Sequence, residues 1–101
     1  MASTISKPKS VLIVHTTLNL SGTSIVSHSG VAKFITATIP SGYKIVNHVD
    51  CWTTGYIGLV TSFDNYRTDN TASVYINNTE DYDITINTNG VLHLLTLCES
   101  I

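Results

Sequence analysis

Residues 38–60, T-I-P-S-G-Y-K-I-V-N-H-V-D-C-W-T-T-G-Y-I-G-L-V, constrain the chain more than any other stretch. Pro40-Ser41-Gly42 closes one alternating run and Thr53-Thr54-Gly55 closes the next. Proline presets φ for the first central turn position, and a following glycine reaches φ > 0 at no steric cost. Between these stops, side chains alternate with period two: Tyr43, Ile45 and Asn47 oppose Lys44, Val46 and His48. That period belongs to a half-buried strand and is incompatible with a helical face. Gly58, in the run Tyr56–Phe63, reads as a bulge or a close backbone approach.

The same grammar extends in both directions. Val31, Ile35, Ala37 and Ile39 share one face of the run before Pro40. Ala72, Val74 and Ile76 share one face later, with Ser73, Tyr75 and Asn77 opposite. Ser21–Ser24, Ser27–Gly30, Asn78–Asp81 and Thr88-Asn89-Gly90 are turn clusters, and Ile84 and Ile86 point inward between the last two. Asp64–Asn70, D-N-Y-R-T-D-N, lacks apolar periodicity and is dense in Asx-turn formers, so it reads as an exposed loop. Val11–Val14 and Val91–Cys98 are apolar on both faces. A strand of that kind is covered on both sides, in the middle of a sheet or at a subunit interface. About seven or eight short strands at a spacing of about 8 to 12 residues predict an all-β fold, an antiparallel β-sandwich or jelly-roll-like arrangement. With 101 residues, residues 11–101 are expected to form one domain behind a flexible or extended lead-in at 1–10.

Composition narrows the function classes. Five Lys and Arg against seven Asp and Glu give a net charge of −2, and the cations are scattered as Lys7, Lys9, Lys33, Lys44 and Arg67. Nucleic-acid binding by counterion release needs them clustered, so no nucleic-acid partner is expected. Ser, Thr and Asn make up roughly a third of the chain and supply most of its polarity, where charge does so in an average protein. No run approaches the ~20 apolar residues of a membrane span, so no membrane insertion is expected. Lys7 and Lys9 precede too short an apolar run, Val11–Val14, for a signal peptide. Cys51 and Cys98 read as free thiols, because a single pair without a secretory signal implies no disulfide framework.

Catalytic and metal motifs are missing from the sequence. There is no G-x-S-x-G elbow, and His15, His28, His48 and His93 are isolated from one another. No H-x-H, C-x-x-C or H-E-x-x-H spacing occurs. The oxygen-rich segments 64–70 and 80–83 read as solvated turns rather than calcium loops. No catalytic residue, cofactor or metal is therefore expected. What remains is aromatic side chains beside loops of Asn, Asp and Thr. A flat apolar ring against a pyranose, with short polar groups to fix its hydroxyls, is the chemistry of sugar recognition. Trp52, Tyr56, Asp64, Tyr66, Arg67 and Asp69 supply those parts and are the candidate ligand-binding residues.

The turn I-P-S-G-Y-K at 39–44, followed by a second strand and the glycine-bearing run G-Y-I-G-L-V at 55–60, resembles the C-terminal modules of tailed-phage tail fibres and baseplate receptor-binding proteins. The resemblance spans Val31–Cys98, and the chain lacks the long stem of a whole fibre. It implies a non-enzymatic virion protein that assembles as a homotrimer and binds host cell-surface saccharide. The competing expectation is a purely structural virion protein, a capsid decoration or tail component bound to other viral proteins. A non-viral lectin-like module is a third reading.

Overall fold

The computed structural model describes residues 9–67 and 70–101, with the side chains of 65–67 outside that description. Eight strands follow in chain order: β1 (Val11–Asn19), β2 (Ser24–Ile25), β3 (Gly30–Thr36), β4 (Tyr43–Thr54), β5 (Leu59–Arg67), β6 (Thr71–Asn78), β7 (Ile84–Thr85) and β8 (Val91–Ser100). They pair antiparallel in three sheets, ordered β1–β8–β4, β2–β7 and β3–β6–β5. The pairs β1–β8, β2–β7 and β3–β6 are nested along the chain, which is the wrapping of a jelly roll. The innermost pair is split: β4 joins β8 in one sheet, and β5 joins β6 in the other. The expected all-β sandwich is the observed architecture.

The core lies between the two three-stranded sheets. From β8 come Leu92, Leu94, Thr96 and Cys98, and from β6 Ala72, Val74 and Ile76, all fully buried. Ile35 and Ala37 add to the second sheet's side, while Leu20, Ile25, Ile84 and Ile86 close the end where β2 pairs with β7. These are the inward positions that alternation predicts for β3, β6 and the β7 segment. The turn after Ile39 also forms as expected: Tyr43 N donates to Pro40 O at 3.1 Å, with Gly42 at φ 84°.

Strand β4 departs from simple alternation. Its register on β8 skips Val46 and Val49, pairing Ile45 with Cys98, Asn47 with Leu97, His48 with Thr96 and Asp50 with Leu95. Each skipped residue is a bulge, and each bulge reverses which face the next residue takes. Asn47 therefore turns outward and His48 inward, the opposite of the period-two reading. His48 is buried, and its Nδ1 meets Thr96 Oγ1 at 2.9 Å. Asp50 and Trp52 then share the outer face, with Cys51 inside.

Two further boundaries move. Residues 64–67, read as part of a loop, are strand: β5 continues to Arg67, which pairs with Ala72 after an irregularity beyond Phe63. Ladder pairing with the apolar β6 outweighs the polar sequence. Gly58 lies just before β5, at φ 82°, where its carbonyl accepts from Thr79 N and Thr79 Oγ1 at 2.8 and 2.9 Å. It closes a connection rather than bulging a strand.

Strand β8 is central in its sheet, as its two apolar faces predict. Strand β1 is an edge, and on its outer face Val11 and Ile13 are 69% and 52% exposed. No second layer among the described residues covers that side of the sheet. Neither Cys51 nor Cys98 is joined in a disulfide. Cys51 faces Leu94 and Cys98 faces Ile45, so they stand four β8 positions apart, about 13 Å along the strand, beyond disulfide reach.

Candidate functional site

A concavity opens where the β4–β5 connection meets the segment leading into β7. Gly55, Tyr56 and Ile57 form one wall and Tyr82, Asp83, Ile84 and Thr85 the other, around a cleft of about 650 Å³. That volume lies within the range of small-molecule sites. Gly55 sets the approach: it sits at φ 91°, and a Cβ there would collide with the backbone oxygen of Asn89. Tyr56 packs its ring against the core. Its hydroxyl accepts from Asn87 N at 2.7 Å and donates to Thr85 O at 3.4 Å, which ties the two walls together.

The second wall hangs from one buried amide. Asn78, at 1% exposure, donates through Nδ2 to Ile25 O at 3.0 Å and to Tyr82 O at 2.8 Å. Its Oδ1 accepts from Glu80 N at 2.9 Å. Asp83 is fixed by accepting from Ser27 N at 2.9 Å, and an exposed contact of 2.7 Å joins His28 to Asp81. His28 adopts a left-handed φ of 54°, a cost offset by these ties between the 26–29 turn and the 79–83 segment. Tyr82 and Ile57, 57% and 83% exposed, are the apolar surfaces open to a ligand.

The candidate residues from the sequence fall in different places. Tyr56 lines this cleft. Trp52 stands on the outer face of the β1–β8–β4 sheet, stacked on His93 with ring centroids 4.9 Å apart and planes at 2°. Asp64 belongs to the other sheet, where its Oδ2 accepts from Ser73 Oγ at 3.3 Å and it borders a shallower concavity with Ser62, Phe63 and Tyr75. The side chains of Tyr66 and Arg67, and all of Asp69, lie outside the described residues. Trp52, Tyr56 and Asp64 thus do not converge on one site.

Ile57 and Tyr82 carry no ligand-binding expectation from the sequence, and Asp83 enters only through the segment 80–83, read as a solvated turn. A signal for two of them existed: D-Y-D at 81–83 is the same aromatic-among-acids pattern that drew attention to 64–69. A second assembly had no local signal. Pairing of the chain's two ends as β1 and β8 sets His15 Nε2 2.8 Å from His93 Nδ1, and His93 Nε2 lies 2.8 Å from Thr54 Oγ1. Burial, and then the neighbouring His15, lower the pKa of His93 below the ordinary histidine value. Burial raises that of the Cys98 thiol.

Neither a protein-family model, nor a curated protein, nor a solved structure matches this chain.

Proposed function

We propose that this chain is a non-enzymatic recognition module of the virion fibre-head type, binding host cell-surface saccharide in the Tyr56–Tyr82 cleft. The observation that carries the reading is the cleft's lining: an exposed tyrosine and isoleucine beside a carboxylate and a hydroxyl, on walls pinned by Tyr56 and Asn78. Tyr82 offers ring area at low entropy cost. Asp83 keeps acceptor capacity beyond its one backbone bond, suited to sugar hydroxyls. The uncharged Ser, Thr and Asn surface supports the virion setting, as does the resemblance at 39–44 and 55–60.

The outer face of the β1–β8–β4 sheet supports homotrimer assembly. Val11, Ile13, Val46 and Val49 are each at least 45% exposed, and Leu95 and Leu97 lie among them on β8. Burial against further copies of the chain removes such a surface from water without another partner.

A glycan array of bacterial surface saccharides tests the cleft. Binding is expected in the parent chain, and Tyr82→Ala is expected to weaken it by about 1 to 3 kcal/mol, the loss of an aromatic anchor. Tyr66→Ala is expected to leave it unchanged. Loss with Tyr66→Ala alone would move the site to the 64–70 segment. The same apolar face favours a second reading, a structural virion protein docked on a capsid or tail protein. Absence of saccharide binding at millimolar concentration, with tight binding to such a protein, would establish that reading instead.

A further inference from the structure

We propose that His15 and His93 form a two-nitrogen site for a first-row divalent cation, copper(II) or nickel(II) in preference to zinc. The site lies on the outer face of the β1–β8–β4 sheet, at the His93–Trp52 end beyond the Val11, Ile13 and Leu97 patch proposed for assembly, and it rests on neither the saccharide reading nor that assembly. The two ring nitrogens stand 2.8 Å apart. Metal–imidazole bonds of about 2.0 to 2.1 Å at angles between 90° and tetrahedral place two nitrogens about 2.9 to 3.3 Å apart. Chelation therefore asks for a movement of a few tenths of an ångström.

The surroundings prepare one ring and leave the other adjustable. His93 is sandwiched into place by the parallel Trp52 indole and by Thr54. When His93 Nε2–H donates to the Thr54 hydroxyl, Nδ1 carries the lone pair and turns it toward His15. Such an outer hydrogen bond fixes the tautomer of a metal-binding histidine. His15 is exposed on an edge strand; its ring lies edge to edge with His93, centroids 5.1 Å apart and planes at 24°, and its centroid is 5.6 Å from that of Trp52.

A contact this short between two ring nitrogens holds one proton between them. Moving the His15 proton from Nε2 to Nδ1 is a tautomer change with no net proton release. It leaves two lone pairs facing one point, which a cation then occupies in place of the proton. Imidazole nitrogens suit copper, nickel and zinc, and affinity rises toward copper along the divalent series. Among the described residues no cluster of three or more His, Cys, Asp or Glu forms a metal site, so water or an external donor fills the other positions.

Trp52 is the sole tryptophan, so its emission reports on this spot alone. Titration of the full chain with Cu²⁺ in a non-coordinating buffer should quench it saturably at one equivalent, and excess Zn²⁺ should restore it. His15→Gln and His93→Gln should each abolish the saturable phase. Thr54→Val should raise the midpoint about tenfold or more, the cost of losing an outer partner. His28→Gln, in the turn before β3, should change nothing. Quenching that rises linearly without saturation, or that survives in His15→Gln, overturns the site. Because His15 is exposed, that variant decides the matter even if His93→Gln fails to fold. Calorimetry with Ni²⁺ gives an independent reading: heat with one-to-one stoichiometry is expected, and no heat above dilution counts against the site.

Discussion

Replacing Asn78 with alanine removes three hydrogen bonds from a single position at 1% exposure. Each is worth about 1 kcal/mol net, because folding exchanges water bonds for protein ones. The carbonyl of Ile25, a residue 1% exposed, is then left without its amide donor, at a further cost of about 1 to 3 kcal/mol. The total is about 4 kcal/mol or more, a large share of the roughly 5 to 15 kcal/mol that holds a domain together. Urea unfolding at equilibrium measures it: with a slope of about 1 to 3 kcal/mol/M, the midpoint should fall by at least about 1 M at constant slope. Asn78→Asp separates hydrogen bonding from volume. It keeps the acceptor for Glu80 N but turns an oxygen toward the carbonyls of Ile25 and Tyr82, so it should be at least as damaging as alanine. A loss below about 1 kcal/mol for either variant would refute the idea that this amide holds the second wall of the cleft.

Gly55→Ala faces both a left-handed φ and a collision with the Asn89 backbone, and should lower the melting temperature by several degrees even though the residue is exposed, for a cost of about 1 to 3 kcal/mol. Cys98 is fully buried with its thiol pKa raised by that burial. Its alkylation should therefore await unfolding, while the partly exposed Cys51 reacts first; mass spectrometry after a short pulse of iodoacetamide reads the order, and early labelling of Cys98 would contradict the burial. In solution, light scattering should give about three times the 11.0 kDa chain mass, and Ile13→Lys on the exposed outer face should return the monomer mass without loss of secondary structure. A parent chain that is already monomeric removes the assembly argument.

Most of the sheet structure was legible because it rests on local signals. Alternation marks Ile35, Ala37, Ala72, Val74 and Ile76 as inward, and Pro40-Ser41-Gly42 marks a turn, whatever their partners. The positions that escaped depend on pairing across long separations. Nothing near Val46 or Val49 announces a bulge; both are skipped because β8 presents Cys98, Leu97, Thr96 and Leu95 in an unbroken row. Segment 64–67 is strand only because β6 lies beside it. Asn78 looks like any turn asparagine, and its role appears only once Ile25 and Tyr82 are brought to either side of it. The His15–His93 contact is the extreme case, joining residues at opposite ends of the chain.

The bulges also explain why the two candidate functions occupy separate surfaces. Without them, β4 would alternate strictly from Ile45, which would carry Asn47 and Val49 inward and His48 outward. Two reversals leave Cys51 on the inward face where strict alternation would also put it, yet exchange the roles of 47 and 48 between. His48 is admitted to the core because Thr96 is there to meet it, while Val49, 45% exposed, joins Val46, 50% exposed, on the outer face. The outer face of β4 thereby gains Val49 beside Val46, which either alternation leaves outward, and keeps Trp52 in register with His93. A sheet that needed only one covered face would be better served by an unbulged strand with Val49 buried. The apolar outer face of β4 is thus enlarged by the second bulge, and the proposed assembly with further copies of the chain would cover it. The cleft formed past the end of β4 by Gly55–Ile57 lies away from that face.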